Sequence, residues 1–143
     1  MDRGSVPPLT RLQITRPQLD EMHAHLEACL PNEGCGLLAG AAGIVSHVLP
    51  AANAASSPVR FHLEPREQLR LLDWIDRQGL ELLAIFHSHP SGPRGPSPTD
   101  VAEAAYPVVH IIFSHIGDHW AESAFWISAG RISDVELYVA GEP

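Results

Sequence analysis

The chain is short of three things, and each shortage removes a class of explanation. It has two cysteines, Cys29 and Cys35, in 143 residues. That is too few for a disulfide framework and consistent with a reducing compartment. Positive charge is also scarce: 9 Lys and Arg stand against 17 Asp and Glu, for a net charge of -8. This argues against nucleic acid or an anionic membrane as the principal partner. Long apolar runs are missing too. No stretch approaches the roughly 20 residues of a membrane-spanning helix, and residues 1–17 hold nothing resembling a signal peptide. The expectation is a cytoplasmic protein with no membrane and no nucleic-acid partner. What is present is an apolar share of 45%, at a length that predicts one domain with a packed core over residues 1–143, and nine histidines.

No internal repeat is visible. Residues 12–15 read as a short edge strand, and Thr15-Arg16-Pro17-Gln18 has the form of a capping box that opens a helix. Leu19, Met22, Leu26, Cys29 and Leu30 give that helix an apolar stripe to lay against a sheet, and Pro31-Asn32 ends it. Residues 36–39 and 44–49 form a hairpin around Gly40 and Gly43, and residues 51–58 form a small-residue loop. Residues 59–63 look extended. Pro65 begins a second helix, reaching Gln78, with Leu69, Leu72 and Ile75 on its buried face and Gly79 as its left-handed terminator. Residues 80–86 are apolar at nearly every position, the mark of a strand covered on both faces. A proline-rich loop over residues 90–98 leads to a short helix over residues 99–106, and residues 108–114, 121–128 and 131–139 complete three strands. The sum is an α/β sandwich with a mixed, strongly curved sheet.

The chemistry concentrates where the buried strand ends. A period of two places the imidazoles of His87 and His89 on one face, with Ser88 pointing away. Two imidazoles hold a metal weakly, and a catalytic zinc usually takes three protein ligands plus an open position. Asp100, eleven residues beyond His89 at a helix start, can be turned back by the stiff loop to supply the third. Each half has a plain structural reading as well. A His-x-His pair on a strand is often structural, and Ser97-Pro98-Thr99-Asp100 is a sound helix cap with Ser97 as N-cap. The constrained loop that joins them makes the metal reading the stronger one.

His87-Ser88-His89-Pro90 followed by Ser97 and Asp100 resembles the JAMM motif of MPN-domain metalloproteases, in the form of the small stand-alone prokaryotic members. Pro31-Asn32-Glu33-Gly34-Cys35-Gly36-Leu37-Leu38-Ala39-Gly40 is similar to the stretch that carries that family's upstream glutamate. The resemblance implies an α/β, cytidine-deaminase-like MPN fold, a mixed curved β-sheet sandwiched by helices. It also implies one zinc ion on His87, His89 and Asp100, Glu33 as general base and acid, and Ser97 as hydrogen-bond donor to the oxyanion. The implied reaction is hydrolysis of a peptide or isopeptide bond after the C-terminal Gly-Gly of a ubiquitin-like or sulfur-carrier protein. An extended tail of that kind could add along a sheet edge, for which residues 59–63 are the expected strand. The intervals around the motif are short of the insertions that grip ubiquitin in larger relatives, so ubiquitin itself is not the expected substrate.

Other readings compete. A DNA-repair-associated or phage-tail-type relative would share the loop chemistry. A non-catalytic MPN scaffold that binds partners would be expected to lack the ligands that this chain retains, whereas a complete site that awaits a partner to order a loop is compatible with them. A homodimer is compatible with the sequence. Cys35 as a thiol nucleophile is weaker than Cys35 as a packed residue between glycines. His110, His115 and His119 could form a second metal site but have no carboxylate at a recognisable spacing. His23 and His25 point apart on their helix, and His47 and His62 carry no assignment.

Overall fold

The computed structural model describes residues 7–104 and 106–141, so the polar start over residues 1–6 lies outside the described residues. The order is β1 (Arg11–Thr15), α1 (Arg16–Cys29), β2 (Cys35–Ala41), β3 (Ile44–Ala51), α2 (Pro65–Arg77), β4 (Glu81–His89), α3 (Pro98–Ala102), β5 (Val108–Ile116), β6 (His119–Ser128) and β7 (Arg131–Ala140). The expected capping box starts α1: Thr15 Oγ1 accepts from the Gln18 N–H while the Gln18 side chain accepts from the Thr15 N–H. Ala42 and Gly43, both with positive φ, make the two-residue turn of the β2–β3 hairpin. Gly79, at φ +69, ends the turn after α2 as its position suggested.

The strands run β1-β3-β2-β4-β5-β6-β7, and β1 closes on β7 to make a barrel. Here an expectation needs correcting. β1 is no edge strand, since it pairs in parallel with β7 from Arg11↔Glu136 to Thr15↔Ala140 and touches β3 at Gln13↔Ile44. Closure of a strongly twisted sheet removes the edge that a five-residue strand would otherwise present. The sheet is mixed, because β4–β5 and β1–β7 are parallel whereas β2–β3, β2–β4, β5–β6 and β6–β7 are antiparallel.

Helices cover both faces. The inner face wraps α1, whose Leu19, Met22 and Leu26 pack among Ile14, Leu38, Phe86, Ile111, Phe113 and Trp126. The outer face carries α2, with Ile75 buried and Leu71, Leu72 and Trp74 packed on Leu37, Ile85 and Val108. Leu69, expected on that face, is 71% exposed. At about 100° per residue it lies roughly 120° round the helix from Ile75. Residues 59–63 form no strand either. Leu63 makes one bridge to Asn53, and the segment is bonded to its own loop. The helix after Ser97 is shorter than expected, ending at Ala102; Ala105, within the expected span, lies outside the described residues.

Candidate metal centre

β4 delivers His87 and His89 because it is hydrogen-bonded on both sides, to β2 through Cys35↔His87 and to β5 through His87↔Ile112 and His89↔Ser114. A strand held by two neighbours fixes which face each side chain takes. Ser88, on the opposite face, accepts from the Gly34 N–H at 2.8 Å, while the Ser88 N–H donates to the Gly34 carbonyl at 3.1 Å. The residue between the two histidines therefore pins the loop that bears Glu33. Gly34 has no room for a side chain, since a Cβ would stand 2.7 Å from Leu26 and 3.0 Å from the Cys29 sulfur.

Asp100 arrives from the first turn of α3, after the proline-rich loop. Ser97 caps α3: its Oγ accepts from the Asp100 N–H at 3.0 Å, and Asp100 Oδ2 accepts from the Ser97 N–H at 2.8 Å. The same Oδ2 lies 3.1 Å from His89 Nε2 and 3.3 Å from His87 Nε2, and the two Nε2 atoms are 3.1 Å apart. The edges of this triangle match a tetrahedral zinc, whose ligands at about 2.0–2.1 Å stand about 3.3 Å from one another. His89 Nδ1 donates to the Pro93 carbonyl at 2.8 Å, which turns Nε2 toward Asp100 and is the kind of outer bond that could orient a ligating imidazole. Two imidazole nitrogens and a carboxylate oxygen at these separations can share protons as hydrogen bonds or hold a cation between them.

Glu33 completes the group. One of its carboxylate oxygens lies within 4.8 Å of a ring nitrogen of both histidines, a set able to hold a metal. It is 3% exposed and its Oε1 has no hydrogen-bond partner. Burial pushes the Glu33 carboxyl up to about 7, against the pull of His89 and with the help of Asp100. Burial acts the same way on Asp100, but hydrogen bonds from His87 and His89 and from the Ser97 backbone hold it well below the usual carboxylate range. His87, wholly buried, is pushed down by desolvation. Desolvation also works against a charged His89, yet its bonds to Asp100 and Pro93 carry it upward.

Several contributors had no clear signal in the sequence. Phe61 stacks on the His87 ring with centroids 4.3 Å apart and planes 22° apart. A cavity of about 140 Å³ opens beside Asp100, between residues 59–63 and α3, and includes Arg60, Glu103, Tyr106 and His110 in its lining. Arg60 and Glu103 pair across it at 2.6 Å. The candidate second metal site does not assemble. His110 is buried on β5, His115 lies against Trp120, and His119 is exposed beside Asp118. Cys35 is buried, and its thiol is pushed up to about 12, chiefly by burial, which suits packing and not nucleophilic attack. His25 donates from Nε2 to the Cys35 and Ala51 carbonyls, a structural role.

Comparison with known proteins agrees with this geometry. Residues 15–128 match the family model described as prokaryotic homologs of the JAB domain. A probable TtuB-protein conjugate cleaving protease of Thermus thermophilus is 44% identical over 74% of this chain and 72% of its own. A desampylase of Pyrococcus furiosus is 34% identical over 75% and 76%. A CysO-cysteine peptidase of Mycobacterium tuberculosis is 33% identical over 71% and 70%. A solution structure from Desulfitobacterium hafniense superposes with a TM-score of 0.81 at 34% identity, covering 92% of this chain and 94% of that one. A JAB1/MPN domain protein from Archaeoglobus fulgidus, at 19% identity and a TM-score of 0.58 over 90% and 97%, shares the fold. The chain belongs to the family of prokaryotic homologs of the JAB domain and is a hydrolase of the JAMM type.

Proposed function

We propose that this chain, working as a single domain over residues 1–143, hydrolyses the bond joining the C-terminal Gly-Gly of a ubiquitin-like or sulfur-carrier protein to an amine. It would use one zinc ion held by His87, His89 and Asp100. The observation that carries this reading is the buried triangle of two Nε2 atoms and Oδ2 at 3.1–3.3 Å, with the Glu33 carboxylate beside it. The donor set suits zinc, and the unpartnered Glu33 Oε1 fits a group that meets a transient partner. The names of the relatives, a conjugate-cleaving protease, a desampylase and a CysO-cysteine peptidase, support the substrate class.

When bound, zinc supplies a Lewis acid that polarises a carbonyl and lowers the pKa of water from about 15.7 to about 7. Glu33 accepts a proton from the attacking water as the new C–O bond forms. It hands that proton to the leaving nitrogen as the C–N bond breaks, and the second proton of the water follows from the new carboxyl group to the amine, so the products are a carboxylate and an ammonium. Ser97 keeps its hydroxyl proton while its oxygen accepts from Asp100 N–H, so it can cap α3 and still donate to the developing oxyanion. The cavity beside Asp100 receives the end of the tail, with residues 59–63 on one side and α3 on the other.

The test is hydrolysis of a ubiquitin-like protein extended past its Gly-Gly, alongside metal analysis. Wild-type protein should bind one equivalent of zinc and release the extension. Chelation should abolish cleavage and zinc restore it. Full cleavage by exhaustively metal-free protein would overturn the mechanism, and intact extended substrates with zinc bound would overturn the substrate class.

A further inference from the structure

We infer that Asn53 is a positioning residue that sets the Glu33 carboxylate and the Phe61 cover over His87 through one side-chain amide. The inference rests on the reading of Glu33 as the proton carrier. Asn53 lies in the small-residue loop between β3 and α2. Its Nδ2 donates to the Glu33 carbonyl at 3.0 Å and to the Arg60 carbonyl at 3.0 Å. Its Oδ1 accepts from the His62 N–H at 2.9 Å and the Ala55 N–H at 3.0 Å. An amide side chain has two N–H donors and two main acceptor lone pairs, so Asn53 is fully used. The orientation of the amide follows from the partners, because two carbonyls can only be met by donors and two N–H groups only by an acceptor.

The consequence lies in what these four bonds connect. Glu33 is gripped on both sides of its peptide backbone by the one loop: its N–H donates to the Ser57 carbonyl at 2.8 Å and its carbonyl accepts from Asn53. Residues 60 and 62, which flank Phe61, are held by the same amide, and Phe61 stacks on His87. Arg60 continues the connection to Glu103, at the end of the helix that carries Asp100. The Glu33 side chain lacks a fixed partner at Oε1, so its aim depends on backbone placement more than that of a hydrogen-bonded carboxylate would. Asn53 is thus the one side chain bonded to both the Glu33 backbone and the Phe61 segment among the described residues.

The full chain is compared with Asn53→Asp and Asn53→Ala. Asn53→Asp keeps the acceptor for the His62 and Ala55 N–H groups but sets a carboxylate oxygen against the Glu33 and Arg60 carbonyls. Asn53→Ala removes all four bonds. Measured are zinc affinity by competition with a chromophoric chelator, kcat and KM on an extended ubiquitin-like protein, and amide hydrogen exchange of the metal-free proteins well below melting. By analogy with hydrogen-bond partners that orient metal ligands, loss of a bond that orients a working side chain should change activity by about 10–100-fold. A positioning role predicts a kcat loss of that size in both variants, as full in Asn53→Asp as in Asn53→Ala. It also predicts faster exchange at the Glu33 N–H in both, with the His62 N–H still protected in Asn53→Asp. A kcat within twofold of wild type in Asn53→Asp, or losses that follow loosening of His62, would overturn the inference in favour of a merely structural loop residue. If wild-type protein cleaves no such substrate, the functional reading fails separately. Exchange then decides alone: faster exchange at Glu33 in Asn53→Asp upholds the clamp, and unchanged exchange there removes it.

Discussion

On one face of β4, Ala84 and Phe86 sit at 0% exposure among apolar side chains from α1 and the other strands; on the other face, His87 and His89, at 0% and 4%, meet the carboxylates of Asp100 and Glu33. Both faces are equally dry, so exclusion of water does not distinguish them. On the inner face the apolar side chains gain by leaving water, and the polar Ser88 among them is bonded to Gly34. On the outer face buried groups lose hydration, and three nitrogens plus one oxygen there, His87 Nδ1, both His110 ring nitrogens and Glu33 Oε1, find no partner. The first is apolar apart from Ser88. The second carries the α2 core at one end and, at the other, buried polar atoms without a protein partner.

That contrast can be broken most forcefully from the polar side. Glu33→Gln should keep zinc and lower kcat by about 10²–10⁴-fold, while the metal-free protein melts at or above the wild-type temperature because a buried carboxylate has become neutral. His89→Ala should lose zinc as well, as metal analysis would show. Retained turnover in Glu33→Gln would put the proton on another group. The inner face should behave in the opposite way: Phe86→Ala should cost about 3–5 kcal/mol in denaturant melts, with kcat per folded, zinc-loaded molecule nearly unchanged. A large loss in kcat there would mean that the two faces are coupled.

A finer test uses acid. Burial pushes the His110 imidazole down to about 4. In the unfolded chain it takes its proton near 6.5, so between these values the unfolded state binds the extra proton and stability rises with pH. The His110 contribution to the stability of the metal-free protein should therefore fall by up to about 3 kcal/mol as pH drops from 6.5 to 4, at 1.36 kcal/mol per pH unit. Glu33, raised to about 7, contributes in the opposite sense over the same window, so the comparison is read between wild type and His110→Phe. His110→Phe should remove the His110 share from the slope of the melting-against-pH curve; an unaltered slope would assign the acid sensitivity elsewhere. The smallest effect belongs to the surface. Arg60→Ala should change stability by no more than about 1 kcal/mol, because its pair with Glu103 is largely exposed, and a double-mutant cycle with Glu103→Ala measures the pair directly.

What could be read from the sequence was local. The Thr15–Gln18 cap, the Ala42-Gly43 turn region, Gly79 and the His-x-His face each depend on spacings of a few residues. Asp100 became legible because a stiff loop limits where it can go. Glu33 and Ser97 came through resemblance, and their backbone contacts now give them a physical setting. The barrel closure escaped because Arg11↔Glu136 joins the two ends of the chain, and no local pattern encodes such a pairing. Leu69 misled because the apolar stripe of α2 runs through Leu71, Leu72 and Ile75, and one further leucine fits a helical spacing without sharing the face. Asn53 was invisible because all four of its bonds are made to backbone, whose partners carry no side-chain signature.

The Asp100 carboxylate has a thermodynamic consequence beyond the ion-holding role proposed for it. One oxygen, Oδ2, closes the capping box of α3 and faces both imidazoles. A five-residue helix has almost no stability of its own, so its order depends on that oxygen staying in place. If Asp100 holds the ion as proposed, ion uptake and helix ordering form a single linked equilibrium: part of the intrinsic affinity would be spent in fixing α3, and whatever stiffens the Pro-rich approach would return that share to the ion.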